Sequence, residues 1–250
     1  MNDYFSILFT GTGLFYLVVL SLLEIVLGID NIIFISIVTD KLQAEKKRRA
    51  RNIGLILALV VRLFLLSIVG MIMGMTEPLF TLFGIHFTGQ SLVLLLGGLF
   101  LIYKSTSEMH SSIKGNHDGE IKVKTKLSAV IFQIVMIDIV FSFDSVITAI
   151  GMTNEIGKGG HGNPMIIIFG AVIISMIIML LFAKPISDFI NKRPTVKMIA
   201  LAFLVTIGIV LIAEAFGQHV PKGYIYFAMV YALVVEFINI RMRKNKGIKE

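Results

Sequence analysis

The sequence predicts an all-α integral membrane protein whose seven transmembrane helices form two inverted three-helix repeats and a C-terminal helix. Three observations predict this fold: long apolar segments, loops that alternate between basic and neutral, and an acidic motif that occurs on two of the segments. The composition agrees, because 56% of the 250 residues are hydrophobic and only 16% are charged. A soluble domain would carry about a quarter charged residues.

Seven segments are long and apolar enough to cross a bilayer, which takes roughly 20 mostly apolar residues. They are predicted at 13–38, 52–74, 88–104, 127–151, 164–183, 196–216 and 223–240. The third is the shortest and could extend backward through Phe83. No lysine or arginine precedes Lys41, which indicates a retained first span and not a cleaved signal peptide.

The predicted organisation is a single membrane domain covering 1–250. The first repeat is predicted at about 13–104 and the second at about 127–216, with the seventh helix after them. Between the repeats, the polar segment 104–126 is predicted to be a flexible cytoplasmic loop.

The distribution of lysine and arginine predicts the orientation, because short cytoplasmic loops are enriched in both. Twenty of these residues lie in the segments 41–51, 104–126, 184–197 and 241–250. The alternate segments hold only Lys158 and Lys222. The N-terminus is therefore predicted outside and the C-terminus in the cytoplasm. The net charge of +7 becomes a topology signal and a contact surface for anionic lipid, so a nucleic-acid partner is not expected.

An acidic motif occurs on the first and fourth predicted helices. The first copy begins at Glu24 and reads EIVLGIDNII, and the second begins at Asp138 and reads DIVFSFDSVI. Each copy has a carboxylate, then Ile-Val, a second carboxylate six residues after the first, and a small polar residue. Because the two helices would cross in opposite directions, the pattern is typical of an inverted-repeat transporter with its site near the bilayer midplane.

The polar residues of this motif are candidate ligands for a metal ion. They are Glu24, Asp30, Asn31, Asp138, Asp144 and Ser145. Each carboxylate near the centre of a span costs on the order of 3 kcal/mol on insertion scales, so acids there are expected to be functional. Carboxylate, amide and hydroxyl oxygens suit magnesium, calcium or manganese. The alternative is that the acids are neutral, or pair with Arg62 and serve as contacts between helices.

Helical geometry bears on whether four acids could share one ion. At 100° per residue, the first and eighth residues of each motif copy share a face. The second acids, Asp30 and Asp144, lie about 120° from the first. A common site therefore requires a local helix break, which is predicted near Gly28 and Ser142. A straight helix through 24–32 would count against the shared site.

Three segments carry a resemblance to a known family. They are LEIVLGIDNIIFISIV, MIDIVFSFDSVITAIGMT and HVPKGYIYFAMVYALVVEFIN, and they resemble the TerC family of membrane proteins, within the LysE-like transporter superfamily, over about 14–240. The resemblance implies a bacterial cytoplasmic (inner) membrane protein that exports manganese(II) coupled to protons, with no prosthetic group. It also implies a role in metallating secreted proteins, which makes the protein secretion machinery a partner. By motif, it assigns the metal to the same six residues.

Other acids and other functions stay open. Glu214 in the sixth span and Glu236 in the seventh could complete the ion shell or relay protons, although Glu214 could instead be solvated at the helix end. Glu236, with Asn239 one turn on, is expected to take part in a hydrogen bond between helices. The first alternative function is that of a membrane-protein assembly or secretion factor, whose activity would not depend on the intramembrane acids. An amino-acid exporter, or an exporter of another cation, is a further alternative, and Arg62 is the cation available for a substrate carboxylate. An enzyme is not expected, because no nucleophile–base pair or catalytic metal motif occurs.

Overall fold

The structure is a computed structural model that describes residues 10–40, 42–68, 78–82, 85–114, 126–158, 165–218 and 220–245. The helices are α1 (Gly11–Thr39), α2 (Ala44–Ser67), α3 (Gly89–Lys114), α4 (Leu127–Lys158), α5 (Met165–Asn191), α6 (Pro194–Ala215) and α7 (Lys222–Asn245). Strands β1 (Pro78–Leu82) and β2 (Ile85–Thr88) form an antiparallel pair before α3. Within the described ranges, seven helices are long and apolar enough to cross a membrane, which confirms the predicted all-α membrane fold.

Several helix boundaries differ from the predicted spans: α2 begins and ends earlier, and α3, α4, α5 and α7 continue past their predicted ends. Helix α2 begins at Ala44, not at 52, because the lysine and arginine residues before the apolar segment are good helix formers. It ends at Ser67, not at 74. The third span does not extend backward, since Ile85–Thr88 is a strand. Residues 69–77 lie outside the described residues.

The predicted loop 104–126 is helical in its first part, because α3 continues to Lys114. The reason lies in packing: Ser105 and Glu108 are buried on one face of this extension, and burial of one face stabilises a helix beyond its apolar stretch. The remainder of the predicted loop, 115–125, lies outside the described residues.

The chain divides into two compact units. The first consists of Met1–Glu77 and Val123–Asp188, and the second of Pro78–Lys122 and Phe189–Glu250. The first unit therefore holds α1, α2, α4 and nearly all of α5, whereas the second holds the hairpin, α3, α6 and α7. Helices at equivalent places in the two predicted repeats, such as α1 and α4 or α3 and α6, share a unit. Each compact unit therefore combines helices from both predicted repeats.

In the first unit, glycines let helices of different repeats approach closely. A Cβ on Gly28 of α1 would lie 2.2 Å from the sulfur of Met179 on α5. Helices α2 and α4 correspond, in the predicted repeat, to α5 and α1, and they also meet at a glycine. A Cβ on Gly54 of α2 would lie 2.8 Å from Cδ1 of Ile134 on α4. Small residues at helix crossings are the usual means of close packing in membranes.

In the second unit, α3 and α6 meet at two glycines. A Cβ on Gly98 would lie 2.6 Å from the carbonyl oxygen of Gly208, and a Cβ on Gly208 would lie 2.9 Å from that of Gly98. The hairpin is attached to the same unit by Phe87, whose ring stacks on Phe80 and meets the edge of Phe216 at the end of α6.

We expect Gly98→Ala to destabilise the protein by about 1–3 kcal/mol, because the added methyl group meets backbone, which cannot rotate away. Thermal unfolding in detergent micelles would measure the change. The matched control is Gly223→Ala in the first turn of α7, where the new Cβ would have no atom within 4 Å. Equal unfolding temperatures for the two variants would contradict the tight crossing.

Candidate functional site

Arg62 on α2 is the centre of a buried polar cluster in the first unit. Its Nη1 donates to Glu24 Oε2 on α1 at 2.7 Å, and its Nη2 donates to Asp138 Oδ1 on α4 at 2.9 Å. Its Nε donates to the Ser142 hydroxyl on α4 at 2.9 Å. One guanidinium therefore joins three helices. Arg62 is 2% exposed, Glu24 2% and Asp138 4%, so these charges are shielded from solvent by the protein itself.

The sequence of α2 explains why Arg62 points inward. Leu55, Ala58, Arg62 and Leu66 are all buried and recur at intervals of three and four residues, which places them on one helix face. Helix α2 packs against α4. Arg62 on this face therefore contacts Asp138, the first acid of the second motif copy.

Hydrogen bonds occupy both oxygens of Asp138. Oδ1 accepts from Arg62 and from Nδ2 of Asn31 on α1 at 2.9 Å, and Oδ2 accepts from the Ser142 hydroxyl at 3.1 Å. The hydroxyl of Ser145 is 3.3 Å from the Ser142 carbonyl oxygen and is also placed to donate to the Glu24 carboxylate. The cluster thus combines charged and neutral oxygens from the two motif copies.

The charges in this cluster do not balance when both acids are ionised. Glu24 and Asp138 carry two negative charges, whereas Arg62, which contacts both, carries one positive charge. Uncompensated charge away from water is costly, so the cluster favours an additional cation or a proton.

An oxygen in the cluster is available for such a cation. Oδ1 of Asn31 is buried and receives no hydrogen bond from the described part of the chain, although buried polar atoms are nearly always partnered. Nδ2 of the same amide is bonded to Asp138, so its orientation is fixed. The donor set of carboxylate, amide and hydroxyl oxygens fits a hard divalent ion.

The structure brings together four of the predicted ligands: Glu24, Asn31, Asp138 and Ser145. Asp30 is buried next to Asn31 in the chain. The side chain of Asp144 lies outside the described part of the structure. Among the residues described, no three acidic or histidine side chains are grouped closely enough to hold a metal, so a site built on these residues combines two acids with neutral oxygens.

The predicted helix break is wrong. Helix α1 is continuous from Gly11 to Thr39 and α4 from Leu127 to Lys158. Gly28 makes room for Met179 and does not unwind the helix, while Ser142 bonds the Arg62 and Asp138 side chains. The straight helix counts against an ion shared by all four motif acids.

Glu214 and Glu236 belong to the second unit. Glu214 lies in the last turn of α6 and is half-buried, in a different unit from the cluster. Glu236 on α7 accepts a hydrogen bond from the Thr195 hydroxyl on α6. The expected hydrogen bond between helices is confirmed for Glu236, with Thr195 as its partner.

Two members of the cluster, Arg62 and Ser142, were not among the predicted ligands. Arg62 carries a signal, since it is the one basic residue near the middle of a predicted span, and the sequence predicts it as a counter-charge to an acid or as the partner of a substrate carboxylate. Ser142 carries a weaker signal, because it occupies the position in the second motif copy that Gly28 occupies in the first. Its two side-chain hydrogen bonds, with Arg62 and Asp138, are seen only in the structure.

Seven spans and a buried ionic cluster define a polytopic integral membrane protein with a charged site among its helices. No solved structure matches the chain. The chain belongs to the integral membrane protein TerC family, whose family model matches residues 9–247.

Relatives of similar length support this assignment. A UPF0053 protein of Haemophilus influenzae is 49% identical over 91% of this chain and 93% of its own length. The UPF0053 inner membrane protein YgdQ of Escherichia coli K12 is 47% identical over 90% and 92%. The UPF0053 inner membrane protein YoaE of the same strain is 44% identical, but the match covers 43% of its length. The chain is a multi-pass inner membrane protein, as predicted.

Proposed function

We propose that this protein is a transporter that exports a divalent metal ion, manganese, in exchange for protons. The observation that carries the proposal is the cluster itself: two buried acids from the two motif copies share a single guanidinium. Beside them lies an amide oxygen that receives no hydrogen bond from the residues that the structure describes. Intramembrane acids are functional by default because their insertion is costly. The TerC family assignment agrees with a transporter and not with an enzyme.

The ion would be held by oxygens from α1 and α4. Glu24 and Asp138 supply the charge, and Asn31 Oδ1 and the Ser145 hydroxyl supply neutral oxygens. Asp30 and Asp144 remain candidate ligands from the second acids of the motif. Oxygen ligands select hard ions over copper or zinc, and manganese is chosen among the hard ions because the family resemblance implies manganese export.

The proposed cycle alternates access to this site between the two faces of the membrane. A cytoplasmic ion binds the acids, and the cluster then opens to the outside, where protons replace the ion. Proton exchange follows from the charge balance, because the acids need a positive partner once the ion has left. The direction of transport, out of the cell, follows from the family resemblance. The orientation, with the N-terminus outside, follows from the distribution of basic residues among the loops.

The experiment compares cellular manganese in a host that lacks its own exporters. We expect cells with the wild-type protein to hold several-fold less manganese than cells with Glu24→Gln, measured by elemental mass spectrometry at equal membrane expression. Glu45→Gln, an exposed acid in the first turn of α2, is the matched control and should behave as wild type. Equal manganese in the Glu24→Gln and wild-type cells would count against the proposal.

An amino-acid exporter is the second candidate, since it would use Arg62 for a substrate carboxylate. Three N–H groups of Arg62 already donate to Glu24, Asp138 and Ser142, which disfavours this use. Measuring amino-acid efflux in the same cells separates the two functions. An assembly or secretion factor would leave both manganese and amino-acid levels unchanged in the Glu24→Gln variant.

A further inference from the structure

The guanidinium of Arg62 occupies the position between the two acids of the cluster where a cation would bind. It contacts Glu24 at 2.7 Å and Asp138 at 2.9 Å, and all three side chains are buried. A divalent ion on the same two carboxylates would lie close to this positive charge, without bulk water to screen the repulsion. Guanidinium and metal ion therefore compete for the same oxygens.

We propose that Arg62 is a tethered counter-ion that exchanges with the transported cation. In the ion-free protein it pairs with Glu24 and Asp138 and balances one of their two negative charges, a proton balancing the other, and an ion binds only when these carboxylates leave the guanidinium. As the ion departs, Arg62 returns to the two carboxylates. This inference rests on the proposed function of the cluster as a cation site, and it assigns to Arg62 the control of ion affinity and release.

The hydrogen bonds of the cluster allow this exchange. When Arg62 moves away, Asp138 keeps the Asn31 amide and the Ser142 hydroxyl as donors, and the Ser145 hydroxyl can donate to Glu24. Neither acid would lose all its partners. Arg62 lies on α2, whereas the acids lie on α1 and α4, so a small displacement of α2 separates the guanidinium from both acids at once.

The test is manganese binding to purified protein in lipid nanodiscs, followed by calorimetry and by thermal unfolding with and without manganese chloride. We expect Arg62→Gln to be less stable than wild type without metal, and to bind manganese at least tenfold more tightly. Manganese should then raise the unfolding temperature of the variant more than that of wild type, because a ligand stabilises the state that it binds. Turnover in proteoliposomes should fall, because release becomes slow.

Further variants keep the inference falsifiable. Lys47→Gln removes a different ion pair on α2, that with Asp40 at 2.7 Å, and should leave manganese affinity unchanged. If Arg62→Gln does not fold, Arg62→Lys replaces it, since one ammonium reaches the two acids less well than a guanidinium; its manganese affinity should rise by several-fold. Unchanged or weaker binding in the Arg62 variant that folds would overturn the exchange.

The same binding assay separates this inference from the proposed function. If Glu24→Gln and Asp138→Asn bind manganese as wild type does, the cluster is not the cation site and the proposed function fails. If those variants lose binding while the Arg62 variants gain none, only the counter-ion role of Arg62 fails.

Discussion

Asp138→Asn is expected to reduce manganese transport by at least tenfold. The substitution preserves the size of the side chain but removes the negative charge to which Arg62, Asn31 and Ser142 donate hydrogen bonds. The new amide would also place an N–H group against donors, so the local hydrogen bonds are lost as well as the charge. A divalent ion would then meet a single acid of the pair beside Arg62, and the remaining charge would not hold it.

Proteoliposomes loaded with a manganese-quenched dye measure this effect directly, with the purified variant and wild type at equal protein content. Asp188→Asn is the matched control, because its carboxylate is half-exposed and lies 3.8 Å from exposed Lys184 in the same unit. The control should transport at the wild-type rate. Transport by Asp138→Asn at more than half that rate would show that this acid is not a ligand.

The fold could be predicted from the sequence because membrane insertion depends mainly on local composition. Apolar length identified all seven spans, and the repeated motif paired α1 with α4, which the first unit places in contact. Helix ends were less predictable, because they depend on the burial of polar faces such as that of Ser105 and Glu108 on α3, which hydropathy does not report.

The site could be predicted only in part. The motif identified Glu24 and Asp138 because acids within apolar segments stand out against their neighbours. The hydrogen bonds around them depend on which face of α2 meets α4, and that choice follows from small residues such as Gly54. Gly28 illustrates the limit of reasoning from residue type: glycine permits both an unwound helix and a close contact, and only its neighbour Met179 decides between them.

Arg62→Met is expected to lower the free energy of unfolding by about 3–5 kcal/mol, the usual effect of removing one partner of a buried ion pair. The side chain of Met fills similar space but leaves Glu24 and Asp138 without their cation at a position where both are almost fully buried. Helices α1, α2 and α4 would also lose the group that joins them. The measurement is unfolding in detergent at neutral pH in the presence of a metal chelator.

The triple variant Arg62→Met, Glu24→Gln, Asp138→Asn shows whether charge is the cause. The triple variant removes the uncompensated buried charge that destabilises Arg62→Met, so it should recover much of the stability lost in Arg62→Met. Lys47→Met, which removes a partly exposed ion pair, should cost less than about 1 kcal/mol. A triple variant as unstable as the single variant would mean that Arg62 stabilises the helices through its volume and packing. In that case the charge balance that motivates a cation at this site would lose its energetic basis.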